Sequence, residues 1–332
     1  EVKGNYAYLT DSSGKVYVVD ISDVKAPKIV ATVDIDDAWR LNISGNYLYV
    51  AGKGKINGKV TGFLYIINIS DPLHPCIVGN WTHGETMDVT RDITLSSVAV
   101  KGNYAFVVRY GSKPWGGLYS IDISDKEHPK MLDRINGTIG NVKIDGFNDI
   151  KILGNYAYIS VRYQGVCIVD ISDPRHLRII GFNKECTGYA EGISTIGNYT
   201  FIASSSMGIF VFDTSDITKP KMIDLIRTLG GAKGISIKDR YLFIGANNEG
   251  IWDVNVTDPA NPKEVAFIYN GGRNGGIAIQ GNYLYVAGVW RKLSVIDIGD
   301  PRNPKPVAMI VGKPIGRPIL PDGDYLYAVW SI

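Results

Sequence analysis

The sequence predicts an all-β protein built from one repeated unit, and three observations lead to this fold class. The phrase Gly45-Asn46-Tyr47 occurs eight times along the chain, counting its variants. A second phrase, apolar-Asp-Ile-Ser-Asp as in Val169–Asp173, falls between these copies seven times. No segment shows the sustained apolar period of about 3.6 residues that a surface helix needs. A fixed period of a few tens of residues indicates a repeat architecture.

The spacing of the first phrase gives the size of the unit. Successive copies lie 41, 57, 52, 43, 42, 42 and 42 residues apart. They begin at Gly4, Gly45, Gly102, Gly154, Gly197, Asp239, Gly281 and Gly323. Because the repeat continues from one end of the 332-residue chain to the other, we expect residues 1–332 to form a single domain.

Each unit contains four short apolar runs, which we call strands a, b, c and d. In one unit these are Ile277–Gln280, Tyr283–Val289, Leu293–Ile298 and Pro306–Val311. The runs are rich in Val, Ile, Leu and Tyr, and Gly, Asn, Asp and Pro separate them, which is typical of strands and turns. The Asp-Pro phrase between strands c and d predicts a turn, because Asp accepts a backbone hydrogen bond two residues on and Pro fixes φ.

The two faces of each strand predict how the sheets pack. Tyr283 and Tyr285 point to one face of strand b, and Leu284 and Val286 to the other, so both faces are apolar. Small four-stranded antiparallel sheets that are covered on both faces and repeat about every 42 residues pack radially into a β-propeller. Seven blades are favoured, with Arg317–Pro321 supplying strand a to the first. Eight blades, the last one incomplete, are the alternative.

The repeat phrases resemble a known family. Gly154–Ser160 followed by Val166–Pro174 is similar to the LVIVD repeat, and the resemblance covers nearly the whole chain. It implies a propeller and a protein that is exported or located at the cell surface of an archaeon or bacterium. The family has no shared catalytic motif, so the resemblance implies no reaction.

Composition limits the classes of partner. The net charge is +2 and 20% of the residues are charged, without the concentrated basic face that nucleic-acid binding requires. No apolar run approaches the ~18 residues of a membrane helix. The chain opens in mid-repeat without a visible signal peptide, as a processed N-terminus would. Of its three cysteines, Cys167 and Cys186 flank one predicted hairpin and are candidates for a disulfide. The alternative is that all three are buried thiols.

Long connections predict a binding rim. The b–c loops Gly52–Gly62 and Tyr110–Gly117 and the d–a connections Trp81–Thr94 and Asn136–Asn148 all fall on one rim, in neighbouring repeats. Irregular loops on a rigid scaffold commonly bind ligands. The predicted rim residues are the aromatic side chains Trp81, Tyr110, Trp115 and Phe147. They would either contact a sugar or protein partner or pack the loops down.

Strand a is expected to line the central channel. The position six residues before each Gly-Asn-Tyr phrase, with its neighbours, holds polar and charged side chains of mixed sign. The candidate channel-mouth residues are Trp39, Arg40, Asn148, Glu191, Lys233, Arg273 and Arg317. They would either bind a small polar or anionic ligand or line a water-filled, hydrogen-bonded channel.

The sequence shows no catalytic or metal-binding constellation. His74, His128 and His176 occupy one repeat position in the c–d turns, and neighbouring turns are too far apart to share a zinc ion. We therefore expect exposed turn residues, no metal and no cofactor. The channel-mouth acids that glycoside chemistry would use are Asp92, Asp149 and Glu191.

Six Asn-X-Ser/Thr sequons are present, and Asn80 and Asn136 are the better glycosylation candidates because they are expected in irregular segments. Together these observations favour a non-enzymatic surface scaffold or adhesion module that binds a protein or a glycan. One alternative is a propeller enzyme acting on saccharides or lactones. The other is a structural subunit that contacts neighbouring copies in a surface layer or filament.

Overall fold

Seven four-stranded antiparallel sheets form the blades of a propeller. In this computed structural model the described residues are 1–11, 14–84, 94–110, 117–136, 138–139, 142–144, 146–228, 230–246, 250–269, 274–288, 292–311, 319–322 and 325–328. Among them no helix combines the length and the hydropathy that a membrane crossing requires.

The first four blades use the strand order expected from the repeat, a to d from one edge to the other. Blade 1 contains β1 (Val2–Lys3), β2 (Tyr6–Asp11), β3 (Lys15–Asp20) and β4 (Lys28–Asp34), and blade 2 contains β5 (Asp37–Ser44), β6 (Tyr47–Ile56), β7 (Lys59–Asn68) and β8 (Cys76–Thr82). Blade 3 contains β9 (Leu95–Lys101), β10 (Tyr104–Arg109), β11 (Gly117–Asp122) and β12 (Lys130–Asn136), and a separate two-stranded pair follows it, β13 (Thr138–Ile139) and β14 (Val142–Lys143). Blade 4 contains β15 (Phe147–Leu153), β16 (Tyr156–Val161), β17 (Gly165–Asp170) and β18 (Arg178–Asn183).

The last three blades repeat the same order, and one further strand pair follows them. Their strands are β19 (Ala190–Ile196), β20 (Tyr199–Ser204), β21 (Gly208–Asp213) and β22 (Lys221–Ile226) in blade 5; β23 (Ala232–Lys238), β24 (Tyr241–Ala246), β25 (Gly250–Asn255) and β26 (Lys263–Ile268) in blade 6; β27 (Asn274–Gln280), β28 (Tyr283–Gly288), β29 (Lys292–Asp297) and β30 (Lys305–Val311) in blade 7; and the pair β31 (Ile319–Asp322) and β32 (Tyr325–Ala328).

The hydrophobic core is divided into seven clusters, one at each interface between neighbouring blades. Leu284 packs between blades 6 and 7, and the next residue, Tyr285, packs between blades 7 and 1. Both side chains are buried, so the prediction that each sheet is covered on both faces is confirmed. Burial of this apolar surface contributes about 25 cal/mol per Å² to folding.

The ring closes between blades 7 and 1, and the closure corrects one expectation. Strand a of blade 1 is the two-residue β1, whereas the expected Arg317–Pro321 segment does not supply it: Ile319–Asp322 pairs with β32. Hydrogen bonds from side chains to backbone carbonyls also link neighbouring blades. Lys3 Nζ donates to the carbonyl of Gly45 (2.6 Å) in the next blade, and Gln280 Nε2 donates to that of Gly4 (2.6 Å) across the closure.

Local turn chemistry follows the repeat phrases. The Gly of Gly-Asn-Tyr has a positive φ, +55° at Gly45, which glycine adopts without strain. In the sixth copy Asp239 takes the same conformation at +54°, which Asp tolerates better than most residues. In the c–d turns the Asp side chains accept backbone hydrogen bonds two residues on, as from Lys25 to Asp23 (3.0 Å), so the predicted turn-capping role is confirmed.

The three turn histidines are exposed, as expected, and each ring is oriented by an aspartate. Nδ1 of His74, His128 and His176 lies 2.8, 3.1 and 2.7 Å from the carboxylate three residues earlier. The hydrogen bond from the His176 side chain lowers the pKa of Asp173. Among the described residues no group of three or more His, Cys, Asp or Glu side chains could hold a metal ion.

The candidate disulfide between Cys167 and Cys186 is wrong, and the alternative of buried thiols holds for these two but not for Cys76, which is exposed. Both thiols are free and buried, and they lie on opposite faces of the blade 4 sheet. Cys167 packs towards blade 3 and Cys186 towards blade 5, so the sheet separates them. Burial raises the pKa of both thiols, that of Cys186 to about 11.

Blade 6 contains a carboxylate where the repeat has an aliphatic residue. Asp253 in β25 aligns with Val211 and Val295, is fully buried, and has no hydrogen-bond partner for either oxygen. Burial raises its pKa to about 7. Because the folded protein holds this proton more strongly than the unfolded chain does, stability is present at low pH and is lost as the pH rises from about 4 to about 7.

We therefore predict that Asp253→Val stabilises the protein, and more so at higher pH. The gain in unfolding free energy should be ~3 kcal/mol larger at pH 7.5 than at pH 4.5, since each pKa unit corresponds to about 1.4 kcal/mol. Urea titrations at the two pH values measure it. Glu264→Val removes an exposed carboxylate from the adjacent strand and serves as the control. An equal gain at both pH values would contradict the prediction.

Candidate functional site

The candidate site lies at one mouth of the central channel, where the innermost strands carry β-bulges. The pairing of strands a and b skips Trp39 in blade 2, Asn148 in blade 4 and Lys233 in blade 6. These residues occupy the position six before the Gly-Asn-Tyr phrase. A bulge leaves one residue unpaired and redirects its side chain, and bulges are common beside functional sites. The channel ring expected from the sequence therefore has a structural basis.

Arg40 joins three blades across this mouth. Its guanidinium donates to the backbone carbonyl of Asn148 (3.1 Å) in blade 4 and to that of Glu191 (3.0 Å) in blade 5. Its Nε also lies 3.7 Å from the carboxylate of Asp149. The two residues that accept these hydrogen bonds lie 108 and 151 positions after Arg40 in the sequence. Three of the predicted channel-mouth residues are brought together here.

Asp149 is buried and accepts hydrogen bonds from three blades. Its Oδ1 accepts from Ser97 Oγ (2.7 Å) in blade 3 and from its neighbour Ile150 N (3.0 Å). Its Oδ2 accepts from Ile193 N (3.1 Å) in blade 5. A buried carboxylate that accepts this many hydrogen bonds stabilises the contact between blades, because removing it would leave several buried donors without partners.

Contacts to the backbone also link blade 4 to blade 5 and blade 5 to blade 6 at the channel mouth. Asn148 Nδ2 donates to the carbonyls of Ala190 (2.5 Å) and Glu191 (3.2 Å). A Cβ atom at Gly192 would lie 2.6 Å from the carbonyl oxygen of Lys233, so this close approach of blades 5 and 6 requires glycine. Lys233 is half-buried beside this contact. The predicted residues Arg273 and Arg317, and the acid Asp92, lie outside the described residues.

An aromatic platform, consisting of Trp39, Tyr110, Arg162, Tyr163 and Tyr189, covers the same mouth. The Arg162 guanidinium lies 4.8, 5.2 and 5.2 Å from the ring centroids of Tyr110, Tyr163 and Tyr189. Tyr163 and Tyr189 meet edge to face at 5.3 Å, and Trp39 lies 6.2 Å from Tyr110. These contacts join blades 2 to 5. Trp39 and Tyr163 remain 42% and 49% exposed, so the platform presents two rings to solvent.

Two predicted rim residues do not belong to this surface. Phe147 is not in a loop: it lies in β15 and is fully buried between blades 3 and 4. Trp81 lies in β8, is 8% exposed, and packs against Tyr119 at 5.3 Å. Both rings are therefore part of the core. Trp115 lies outside the described residues, and of the three described rim residues Tyr110 contributes to the platform.

The expected irregular loop Gly52–Gly62 is instead a regular hairpin. Strands β6 and β7 are paired over their whole length from Tyr47 to Asn68, and Asn57 and Gly58 turn the chain with φ values of +51° and +80°. An Asn-Gly pair with two positive φ angles favours a tight hairpin turn. At its base Lys53 forms an ion pair with Asp37 (2.8 Å).

The sequence did not identify Arg162, Tyr163 and Tyr189. The sequence of the b–c turn contained a usable signal, which appears when the blades are aligned on the glycine that ends this turn. Where blade 4 has Arg162 and Tyr163, blade 5 has Ser205 and Ser206 and blade 6 has Asn247 and Asn248. Tyr163 also adopts a positive φ of +54°, which is uncommon for a bulky residue. Such conformations cluster at functional sites.

The family comparison confirms the resemblance given by the repeat phrases. The LVIVD repeat matches seven times, at residues 1–35, 36–83, 95–136, 147–182, 187–228, 229–270 and 271–308. The chain belongs to the LVIVD-repeat family. Each match corresponds to one blade, so the prediction of seven blades is confirmed. A sequence search of the curated proteins gave no match.

Solved structures with the same fold share little sequence with this LVIVD-repeat chain. A Pseudomonas aeruginosa periplasmic gluconolactonase, PpgL, superposes with a TM-score of 0.71 at 14% identity, over 93% of this chain and 99% of its own. A functionally unknown protein from Desulfotomaculum acetoxidans gives 0.71 at 15% identity, over 93% and 96%. A hypothetical selenium-binding protein from Sulfolobus tokodaii gives 0.65 at 13%, over 92% and 91%. At these identities the likeness shows the fold alone.

We predict that Asp149→Ala destabilises the propeller by about 3 kcal/mol, because buried donors in blades 3 to 5 and the Arg40 guanidinium lose their acceptor. Urea unfolding followed by tryptophan fluorescence measures the change. Asp34→Ala breaks an exposed ion pair with Lys15 and should cost less than about 1 kcal/mol. Equal losses of unfolding free energy in the two variants would show that Asp149 does not stabilise the contacts between blades.

Proposed function

We propose that this protein is a non-enzymatic binding propeller of the cell surface whose ligand is held on the aromatic platform at the channel mouth. The observation that carries the proposal is the pair of half-exposed rings, Trp39 and Tyr163, fixed in one set of contacts with Tyr110 and Arg162. Exposed aromatic rings on a rigid support provide large contact areas at low cost in conformational entropy.

The hydrogen bonding of Asp149 supports a non-enzymatic role for this channel acid. A general base must present a free carboxylate oxygen to its substrate. Both oxygens of Asp149 already accept protein donors, and Arg40 lies beside it. The side chain of Asn148 is likewise committed to blade 5. These polar groups hold the mouth in shape, which favours binding on a preformed surface.

The exported location rests on the family resemblance and on an accessible sequon. Asn80 is exposed on β8, the outer strand of blade 2, where a glycosylating enzyme would reach it. Asn136 is the last residue of β12, and its side chain lies outside the described residues. Glycosylation of both remains a prediction.

We predict that the double variant Trp39→Ala/Tyr163→Asn loses at least 10-fold in retention of its partner. Immobilised protein would be exposed to solubilised cell envelope, and the bound protein and carbohydrate quantified. Tyr269→Ala, which removes a 71% exposed ring of blade 6, is the matched control and should retain the partner fully. The proposal fails if the double variant and the control retain it equally while both remain folded by circular dichroism.

For the same reasons we expect no turnover of saccharides or lactones. The purified protein would be incubated with panels of both, and the products followed by mass spectrometry. Turnover that disappears in Glu191→Gln, with the fold intact, would contradict the non-enzymatic proposal and establish the enzymatic alternative. Asp224→Asn, on the outer strand β22, is the control for loss of a carboxylate away from the channel.

A further inference from the structure

We infer that the platform takes an acidic saccharide, one bearing uronate carboxylates or sulfate groups. This inference rests on the proposed function, since it names the ligand class of the same surface. It combines two features of the platform: rings that are open to stacking and a cation that no carboxylate neutralises.

The first feature is the arrangement of the exposed rings. Trp39 and Tyr163 lie on different blades and are linked through Tyr110 and Arg162, so their separation is fixed by the propeller and not by a flexible loop. Two stacking rings at a fixed separation suit an extended, repeating ligand. The pyranose rings of a saccharide chain present apolar C–H faces for such stacking, whereas a folded protein partner would need a broader apolar surface.

The second feature is the charge of Arg162. Among the described residues no carboxylate forms an ion pair with its guanidinium, and its Nε is buried without a hydrogen-bond partner. The other cation of the mouth, Arg40, lies beside Asp149 and is bound to backbone carbonyls. Arg162 is thus the described guanidinium at this mouth that remains available to an anion. Arg binds carboxylate and sulfate groups in a planar, charge-assisted geometry.

The surroundings add positive charge on the same rim. The hairpin formed by β6 and β7 carries Lys53, Lys55 and Lys59 towards its tip, and Lys53 forms an ion pair with Asp37 at the base of the hairpin. Lys233 lies half-buried on the bulge of blade 6. A positive rim attracts an anionic polymer and raises its rate of association at low salt.

The conformation of Tyr163 argues that its ring is there for a ligand. Serine and asparagine occupy the aligned turn position in blades 5 and 6, and asparagine accommodates a positive φ more readily than tyrosine does. An asparagine at this position would relieve the backbone strain. A tyrosine that leaves half of its surface exposed here fits a contact to something outside the protein.

The experiment uses an oligogalacturonate hexamer and its carboxyl-reduced, neutral counterpart, two probes of equal length that differ only in charge. Isothermal titration calorimetry should show binding of the uronate, weakened about 10- to 100-fold on carboxyl reduction, as expected for loss of charge-assisted hydrogen bonds. Affinity for the uronate should also fall as salt is raised from 50 to 300 mM, because a surface ion pair is screened.

Two variants separate the ligand contacts from the fold. Arg162→Gln should bind the uronate at least 10-fold more weakly, and binding should become nearly independent of salt. Tyr163→Asn should also weaken binding at least 10-fold, whereas its Tm should be equal to or above that of the wild type, because Asn suits the turn. Tyr269→Ala should change neither quantity.

Equal affinity for the charged and the reduced hexamer, lost in Tyr163→Asn, would overturn the acidic ligand class and leave the proposed function standing. Absence of binding to both hexamers would also overturn this inference. The cell-envelope retention experiment with the Trp39/Tyr163 double variant then decides the proposed function by itself.

Discussion

Packing of each blade between two others is the constraint on which the rest of the structure depends. A single four-stranded sheet with Leu284 on one face and Tyr285 on the other cannot bury both without a neighbour on each side. Closing the row into a ring provides those neighbours for every blade and leaves no terminal blade with an apolar face in water. The hydrogen bond from Gln280 to the Gly4 carbonyl and the apolar cluster between blades 7 and 1 close the ring, although strand a of blade 1 has only two residues.

Radial packing also explains why polar residues gather at the channel. The innermost strands converge there, and their bulges direct side chains such as Asn148 towards the backbone of the next blade. Arg40 and Asp149 extend these contacts over blades 2 to 5. The inner network of hydrogen bonds therefore links the blades, and the aromatic platform at the same mouth faces solvent. Ligand binding at this mouth stays a prediction.

The platform shows how a repeat fold acquires one special region. The b–c connections vary in length and sequence, whereas strand pairing and turn capping depend on the repeat phrases. Blade 4 places Arg162 and Tyr163 in a turn that carries Ser205 and Ser206 in blade 5 and Asn247 and Asn248 in blade 6. Neighbouring blades then contribute Tyr110, Tyr189 and Trp39, which are far apart in sequence and adjacent only because the blades are.

The sequence by itself determined the all-β class, the unit of about 42 residues, the seven-bladed preference and the role of the c–d aspartates. These features depend on local alternation and turn chemistry, which a single repeat already contains. It also indicated Asn148 and Glu191 as channel residues, since their repeat position is fixed, and Arg40 as the neighbour of Trp39 at that position. Only the tertiary structure decided that Phe147 and Trp81 are core residues, that a sheet separates Cys167 from Cys186, and that β1 completes the first blade. Each of these depends on which surfaces of distant segments meet, and the order of residues along one chain does not specify that.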